Sequence, residues 1–166
     1  IAYKLFTIFF TVQGVIIMPL WPAYTVAKAE NNSEWIKETL MKGNMFVILL
    51  SLGAIVLAMM IDPVTKIWLG SSLYFNKTMV FVMMLYTIVY MFESNYCAFL
   101  CGASILKGYT ILSVIGAMMN IPCSVLFADC FGMGLTGIIL GTLVSIIPGV
   151  FVYPYITHKA LENLKQ

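Results

Sequence analysis

A single carboxylate, Glu93, stands inside an otherwise uncharged apolar run from Thr78 to Leu106, with Ser94 and Asn95 beside it. An ionisable group at membrane depth is costly, and it marks a functional site by default. Here the chemistry would be a proton- or ion-linked site facing a cavity. The competing reading is a carboxylate that reaches the cytoplasmic interface near Gly102, or that stays neutral in a helix bundle. Two isolated amides, Gln13 and Asn120, also lie mid-run. Hydrogen bonding between helices is their plainest use, worth about 0.6 kcal/mol on average in a membrane. Asn120 precedes Pro122, so its side chain can also meet backbone groups freed by a proline kink. Glu93, Asn95, Gln13 and Asn120 are therefore the cavity or coupling residues that the sequence offers.

Other chemistries find less. Cys97 and Cys101 are four apart on one helix face, but no His or carboxylate is spaced to complete a zinc site. With Cys123 and Cys130 they read as small apolar helix residues. The one histidine, His158, has Glu162 as its only acidic neighbour, while Asp62 and Asp129 are isolated, so no catalytic cluster forms. Gly132-Met133-Gly134-Leu135-Thr136-Gly137 matches a dinucleotide-binding pattern. That fingerprint needs a preceding strand and an acid about 20 residues on, and the context here is a turn between two apolar runs. Gly137 and Gly141 instead form a small-residue pair that lets helices approach closely. All nine basic residues are Lys, which removes guanidinium clamps on phosphate. A net charge of +2 gives no footprint for nucleic acid. No metal site and no cofactor is expected, and the chain reads as a non-enzyme.

The elements that must position these residues are transmembrane helices. Hydrophobic residues make up 61% of the chain and charged residues 10%, with a mean hydropathy of +0.98. A soluble domain has roughly 45–50% apolar and about 25% charged residues. A spanning helix needs about 20 apolar residues. Five such runs occur, over about Leu5–Ala27, Asn44–Ile61, Thr78–Cys101, Gly108–Ala128 and Gly134–Thr157. Backbone groups in hydrocarbon must be satisfied within their own segment, so each run is expected to be helical. The expected class is an all-α membrane protein, residues 1–166 forming one membrane domain in the lipid bilayer.

Between the first two runs, Asn32 or Ser33 can cap a short helix over about Ser33–Met41, lying at the surface with Trp35 at headgroup level. Trp68, Tyr74 and Phe75 mark a second interfacial element. The tight links after Gly102 and after Asp129 predict that consecutive helices are antiparallel neighbours. With the Lys28–Gly43 connector inside, Lys28, Lys37, Lys42, Lys107, Lys159 and Lys165 are cytoplasmic, and Lys4, Lys66 and Lys77 are outside. This bias follows the positive-inside rule and places the C-terminus in the cytoplasm. The chain opens on Ile1, directly in apolar sequence and with no cleavable signal, and is expected to be a piece of a longer protein.

An ordered set of motifs carries a family resemblance. Pro19-Leu20-Trp21-Pro22-Ala23-Tyr24 is followed by Ser33-Glu34-Trp35-Ile36-Lys37, then by Ile67-Trp68-Leu69-Gly70. Asn120-Ile121-Pro122, Phe131-Gly132, Gly134, Gly137 and Gly141-Thr142 come last. The set resembles Wzx-type polysaccharide (O-antigen) flippases of the multidrug/oligosaccharidyl-lipid/polysaccharide exporter superfamily. The resemblance implies a piece of the C-terminal lobe of a two-lobe transporter with about 12–14 helices, working by alternating access. It implies a lipid-linked glycan substrate, undecaprenyl-pyrophosphate-bound, in lipopolysaccharide biosynthesis at a bacterial inner membrane. The partner would be the N-terminal lobe of the same chain. That family's cationic cavity residues lie largely on helices outside this stretch; Lys4 is the one lysine near a cavity-facing position. The alternatives are a cation-coupled multidrug exporter of the same superfamily and a membrane-embedded acyl- or glycosyltransferase.

Overall fold

The computed structural model describes residues 2–70 and 75–164. Tyr74 and Lys165, used above for the second interfacial element and for the lysine bias, lie outside the described residues. Among those described, the secondary structure is helical, and five helical stretches are long and apolar enough to cross a membrane. The chain has the architecture of a multi-pass α-helical membrane protein.

The first span, Ala2–Ala29, is broken into α1 (Ala2–Ile17) and α2 (Leu20–Ala29) at Met18-Pro19. Proline cannot donate to the carbonyl four residues back, and its ring crowds that carbonyl. The chain crosses the break on Met18 N–H to Gly14 O (2.9 Å) and Trp21 N–H to Met18 O (3.3 Å). α2 ends with Asn31 at positive φ (52°) and Asn32 N–H on Ala27 O at 2.9 Å. This is the left-handed helix stop that Asn tolerates. The Asn32 side chain then accepts from Trp35 N–H at 3.1 Å and caps the next helix.

That next helix, α3, runs unbroken from Ser33 to Met59. The separate surface helix expected over Ser33–Met41 is instead its first turns. Gly43 does not interrupt it, because it serves packing: a Cβ there would lie 2.9 Å from the Asn95 amide of the facing helix. At 27 residues α3 is about 40 Å long, more than the roughly 30 Å of hydrocarbon, so its charged start projects beyond the apolar length. Trp35 is 36% exposed and meets Tyr24 edge-on at 5.9 Å. α4 (Ile61–Leu69) restarts directly after α3 with Asp62 and Pro63 in its first turn, where a proline costs least, and exposes Trp68.

α5 (Lys77–Gly102) is the central helix and packs on α1, α2, α3 and α7. α2 closes over its end: Thr25 Oγ1 donates to Gly102 O at 2.6 Å, and Lys28 Nζ donates to Ala103 O. Gly102 is required there, since a Cβ would lie 2.6 Å from Trp21 O. Lys28 is thus a cap for α5 as well as a loop charge.

α6 (Leu106–Val125) is antiparallel to α5 but barely touches it; it lies on α7 (Leu135–Asn163). The short Ala103–Ile105 link therefore does not make its two helices close packing partners. None of the α6 residues is buried, so this helix forms one edge of the bundle. Beyond Pro122 the helix widens into one π turn, Leu126–Cys130, with Phe131 N–H on Leu126 O at 3.1 Å. Two buried clusters hold the bundle: one around Tyr24, Ile36, Phe99 and Tyr153 at the Lys28 end, the other around Phe6, Ala54, Ile61 and Met83 at the opposite end.

Candidate functional site

The site lies where α5, α6 and α7 meet. α7 turns one face toward its neighbours at every fourth residue: Gly137, Gly141, Ser145, Gly149, Tyr153 and Thr157, all buried. Spacing of four keeps residues on one helix side. Against α6 the small residues allow backbone contact. A Cβ on Gly116 would lie 3.0 Å from Ser145 O, and one on Gly141 would lie 2.5 Å from Ser124 N. Against α5, Gly149 makes room for the Glu93 carboxyl, whose Cδ would be 2.7 Å from a Cβ at that position.

Glu93 is half-buried and borders two adjoining cavities. The larger, about 400 Å³, is lined by Glu93, Ser113, Asn120, Ser145 and Tyr153 together with backbone at Gly116 and Gly149. The smaller, about 160 Å³, adds Tyr90, Cys97 and Tyr109. Glu93, Ser113 and Tyr153 belong to both. The hydroxyls of Ser113 and Tyr153 are hydrogen-bonded at 3.1 Å, and the Tyr109 and Tyr153 rings lie 5.5 Å apart. Glu93 is the seventeenth of the 26 residues of α5, so about 24 Å of helix precedes it and about 13 Å follows it. It therefore lies about two helical turns or more from either end of α5.

Among the described residues the ion pairs are Lys42–Glu38 (3.4 Å) and His158–Glu162 (3.5 Å), both exposed, so no cation neutralises Glu93. The arrangement is a carboxyl group, two linked hydroxyls and an amide around a polar cleft within an apolar bundle. It can hold a proton or a hard cation, and it can hydrogen-bond a hydroxylated or cationic solute. Among the described residues, no group of three His, Cys, Asp or Glu side chains is close enough to hold a metal.

Of the residues singled out from sequence, Glu93 and Asn120 come together here. Gln13 does not: it is 2% exposed and donates to Met91 O at 2.6 Å, tying α1 to α5. Asn95 is likewise buried and ties α5 to α3, donating to Asn44 Oδ1 at 2.9 Å and to Leu40 O at 3.3 Å. Lys4 is exposed in the first turn of α1 and lines neither cavity. Gln13→Leu should keep the fold and cost about 0.6 kcal/mol, the mean for a hydrogen bond between membrane helices. A shift in thermal midpoint as large as that of a core truncation would show that the Gln13 contact does more than join two helices.

Sequence reasoning passed over Ser113, Ser145 and Tyr153. The signal was present as the four-residue stripe on α7 and the matching Tyr109, Ser113, Gly116 and Asn120 on α6. Its meaning depends on which helix α7 faces, and spacing within one helix does not give that. No family model matches the chain, and neither the curated proteins nor the solved structures compared with it gave a match.

Proposed function

We propose that this chain is part of a membrane transporter that moves a lipid-linked oligosaccharide across the cytoplasmic membrane by alternating access, with no covalent chemistry. The observation that carries the reading is Glu93: a carboxyl with no ion-pair partner among the described residues, on a long apolar helix, at a cavity that hydroxyls and an amide also line. Such a group is a functional site by default, and polar clefts between membrane helices are where transporters hold solutes and coupling ions. The ordered motifs that resemble Wzx-type flippases supply the substrate class. The cleft has an outer edge formed by α6, with no buried residue, against which a second lobe would close.

A cation-coupled drug exporter of the same superfamily is the second reading. The observation in its favour is that Tyr90, Tyr109 and Tyr153 surround the one carboxylate, a setting that suits an organic cation. One experiment separates the two. Deleting the full-length gene in its host should leave the lipid-linked glycan on the inner leaflet, shielded from an external lectin, and complementation should restore labelling. Unchanged lectin labelling together with lost efflux of a cationic dye would reject the flippase in favour of the exporter.

The proposed orientation puts the Lys28 end of the bundle and the C-terminus in the cytoplasm, on the lysine bias. Lys37→Cys should resist an impermeant thiol reagent added to intact cells, and Lys77→Cys should react. The reverse pattern would invert the topology.

A further inference from the structure

A separate cavity, of about 440 Å³, opens at the end of the bundle where α3 begins and α7 ends, and it shares no residue with the two around Glu93. α3 and α7 each pack on α5 far more than on one another, and the cavity is the wedge left between them. Its size lies within the roughly 300–1,000 Å³ of small-molecule sites. Its walls carry both signs of charge. Lys37 stands on the α3 side, and Glu162 stands on the α7 side beside His158 at 3.5 Å.

Hydroxyl-bearing residues line the same cavity, among them Tyr96 on α5 and Thr157 on α7. Tyr96 OH accepts from Asn44 Nδ2 at 2.8 Å, which leaves the phenol's own proton free to donate. Thr157 is 3% exposed and its Oγ1 has no hydrogen-bond partner, although a helical threonine ordinarily bonds the carbonyl a turn back. Met41 and Leu161 complete an apolar flank. A cation on the α3 wall, the Tyr96 hydroxyl on α5 and a carboxylate on the α7 wall are together complementary to one small group that carries a phosphate and a primary ammonium.

We propose that this cavity binds a phosphoethanolamine group, its phosphate on Lys37 and the Tyr96 hydroxyl and its ammonium on Glu162. The source is an aminophospholipid headgroup or a soluble glycerophosphoethanolamine, which share this chemistry. Basic pockets between membrane helices are established headgroup sites; the carboxylate on the opposite wall is what selects an ammonium here. The inference is independent of the transport reading, since neither the Glu93 cavities nor the proposed second lobe enters it.

The test is native mass spectrometry of the purified full-length protein with an equimolar mixture of phosphatidylethanolamine, phosphatidylcholine and phosphatidylglycerol. Phosphatidylethanolamine should be retained about tenfold over the other two, the size of one charge-assisted hydrogen bond. Phosphatidylcholine has no N–H for Glu162, and phosphatidylglycerol has no ammonium. K37Q and E162Q, both at exposed positions, should each erase the preference, while K66Q at the other end of the bundle should keep it. Soluble glycerophosphoethanolamine that displaces the lipid would show that the headgroup alone suffices. Failure to displace it would assign the site to the intact lipid, and either result keeps the headgroup chemistry. Equal retention of the three lipids, or a preference that survives both K37Q and E162Q, overturns the proposal.

Discussion

Under the proposed transport role, Glu93→Gln in the full-length protein is expected to abolish glycan export while leaving membrane insertion and folding intact. Glutamine keeps the side-chain shape and one oxygen acceptor, so the packing against Gly149 and the contacts with the cavity walls are preserved. What it loses is the capacity to exchange a proton or to balance a cation. If Glu93 only fills space between α5 and α7, the amide serves as well and export continues. The full loss therefore reports on coupling, not on assembly. The measurement is surface polysaccharide in a complemented knockout, with protein level and thermal midpoint followed alongside. Tyr153→Phe removes the hydroxyl bonded to Ser113 and should weaken export without abolishing it. Wild-type export by Glu93→Gln, from mildly acidic to mildly alkaline external pH, would end the coupling role.

The largest effect on stability is expected at the α6–α7 seam. In Gly141→Leu, even the first carbon added would lie 2.5 Å from Ser124 N and 2.6 Å from Ser124 Cα. At Gly137 the same carbon would lie 2.5 Å from Ala128 N and 2.5 Å from the Phe127 carbonyl carbon. These are backbone atoms, so no rotamer change relieves the clash and the helices must separate. Overpacking a core costs about 1–3 kcal/mol and more where nothing yields. Gly141→Leu should lie at the upper end of that range and Gly137→Leu beside it. Gly14→Ala is the contrast, since its Cβ would meet nothing within 4 Å and helix propensity favours alanine by about 1 kcal/mol. A thermal midpoint for Gly141→Leu equal to wild type would mean that the two helices are not packed through their glycines.

The sequence by itself determined the class of solvent, the number of spans and the cap that starts α3. Apolar runs too long for a soluble core demand lipid, and lipid demands internally bonded helices. Asn32 capped α3 as its type and position indicate, because capping is a contact between residues three apart. The glycines at 137 and 141 announced close approach for the same local reason, since a missing side chain is visible in one dimension.

Which polar residues share a site was decided only by the tertiary structure. Gln13, Asn95 and Asn120 look alike in sequence, each an amide in an apolar run. Rotation of each helix about its axis sends Gln13 onto the Met91 carbonyl, Asn95 onto α3, and Asn120 into the cleft with Glu93. Nothing in a helix that is apolar on most sides fixes that rotation. It is set by which neighbour offers a glycine to approach, and α6 packs on α7, which follows it in the chain, and not on α5, which precedes it. The helix expected to end at Met41 likewise runs on through Gly43, because the Asn95 side chain of the facing helix occupies the space a side chain at 43 would need. Local hydrogen bonds can be read along the chain, whereas contacts between helices depend on shape complementarity among residues distant in sequence, as with Asn95 and Asn44 at 51 positions and Gln13 and Met91 at 78.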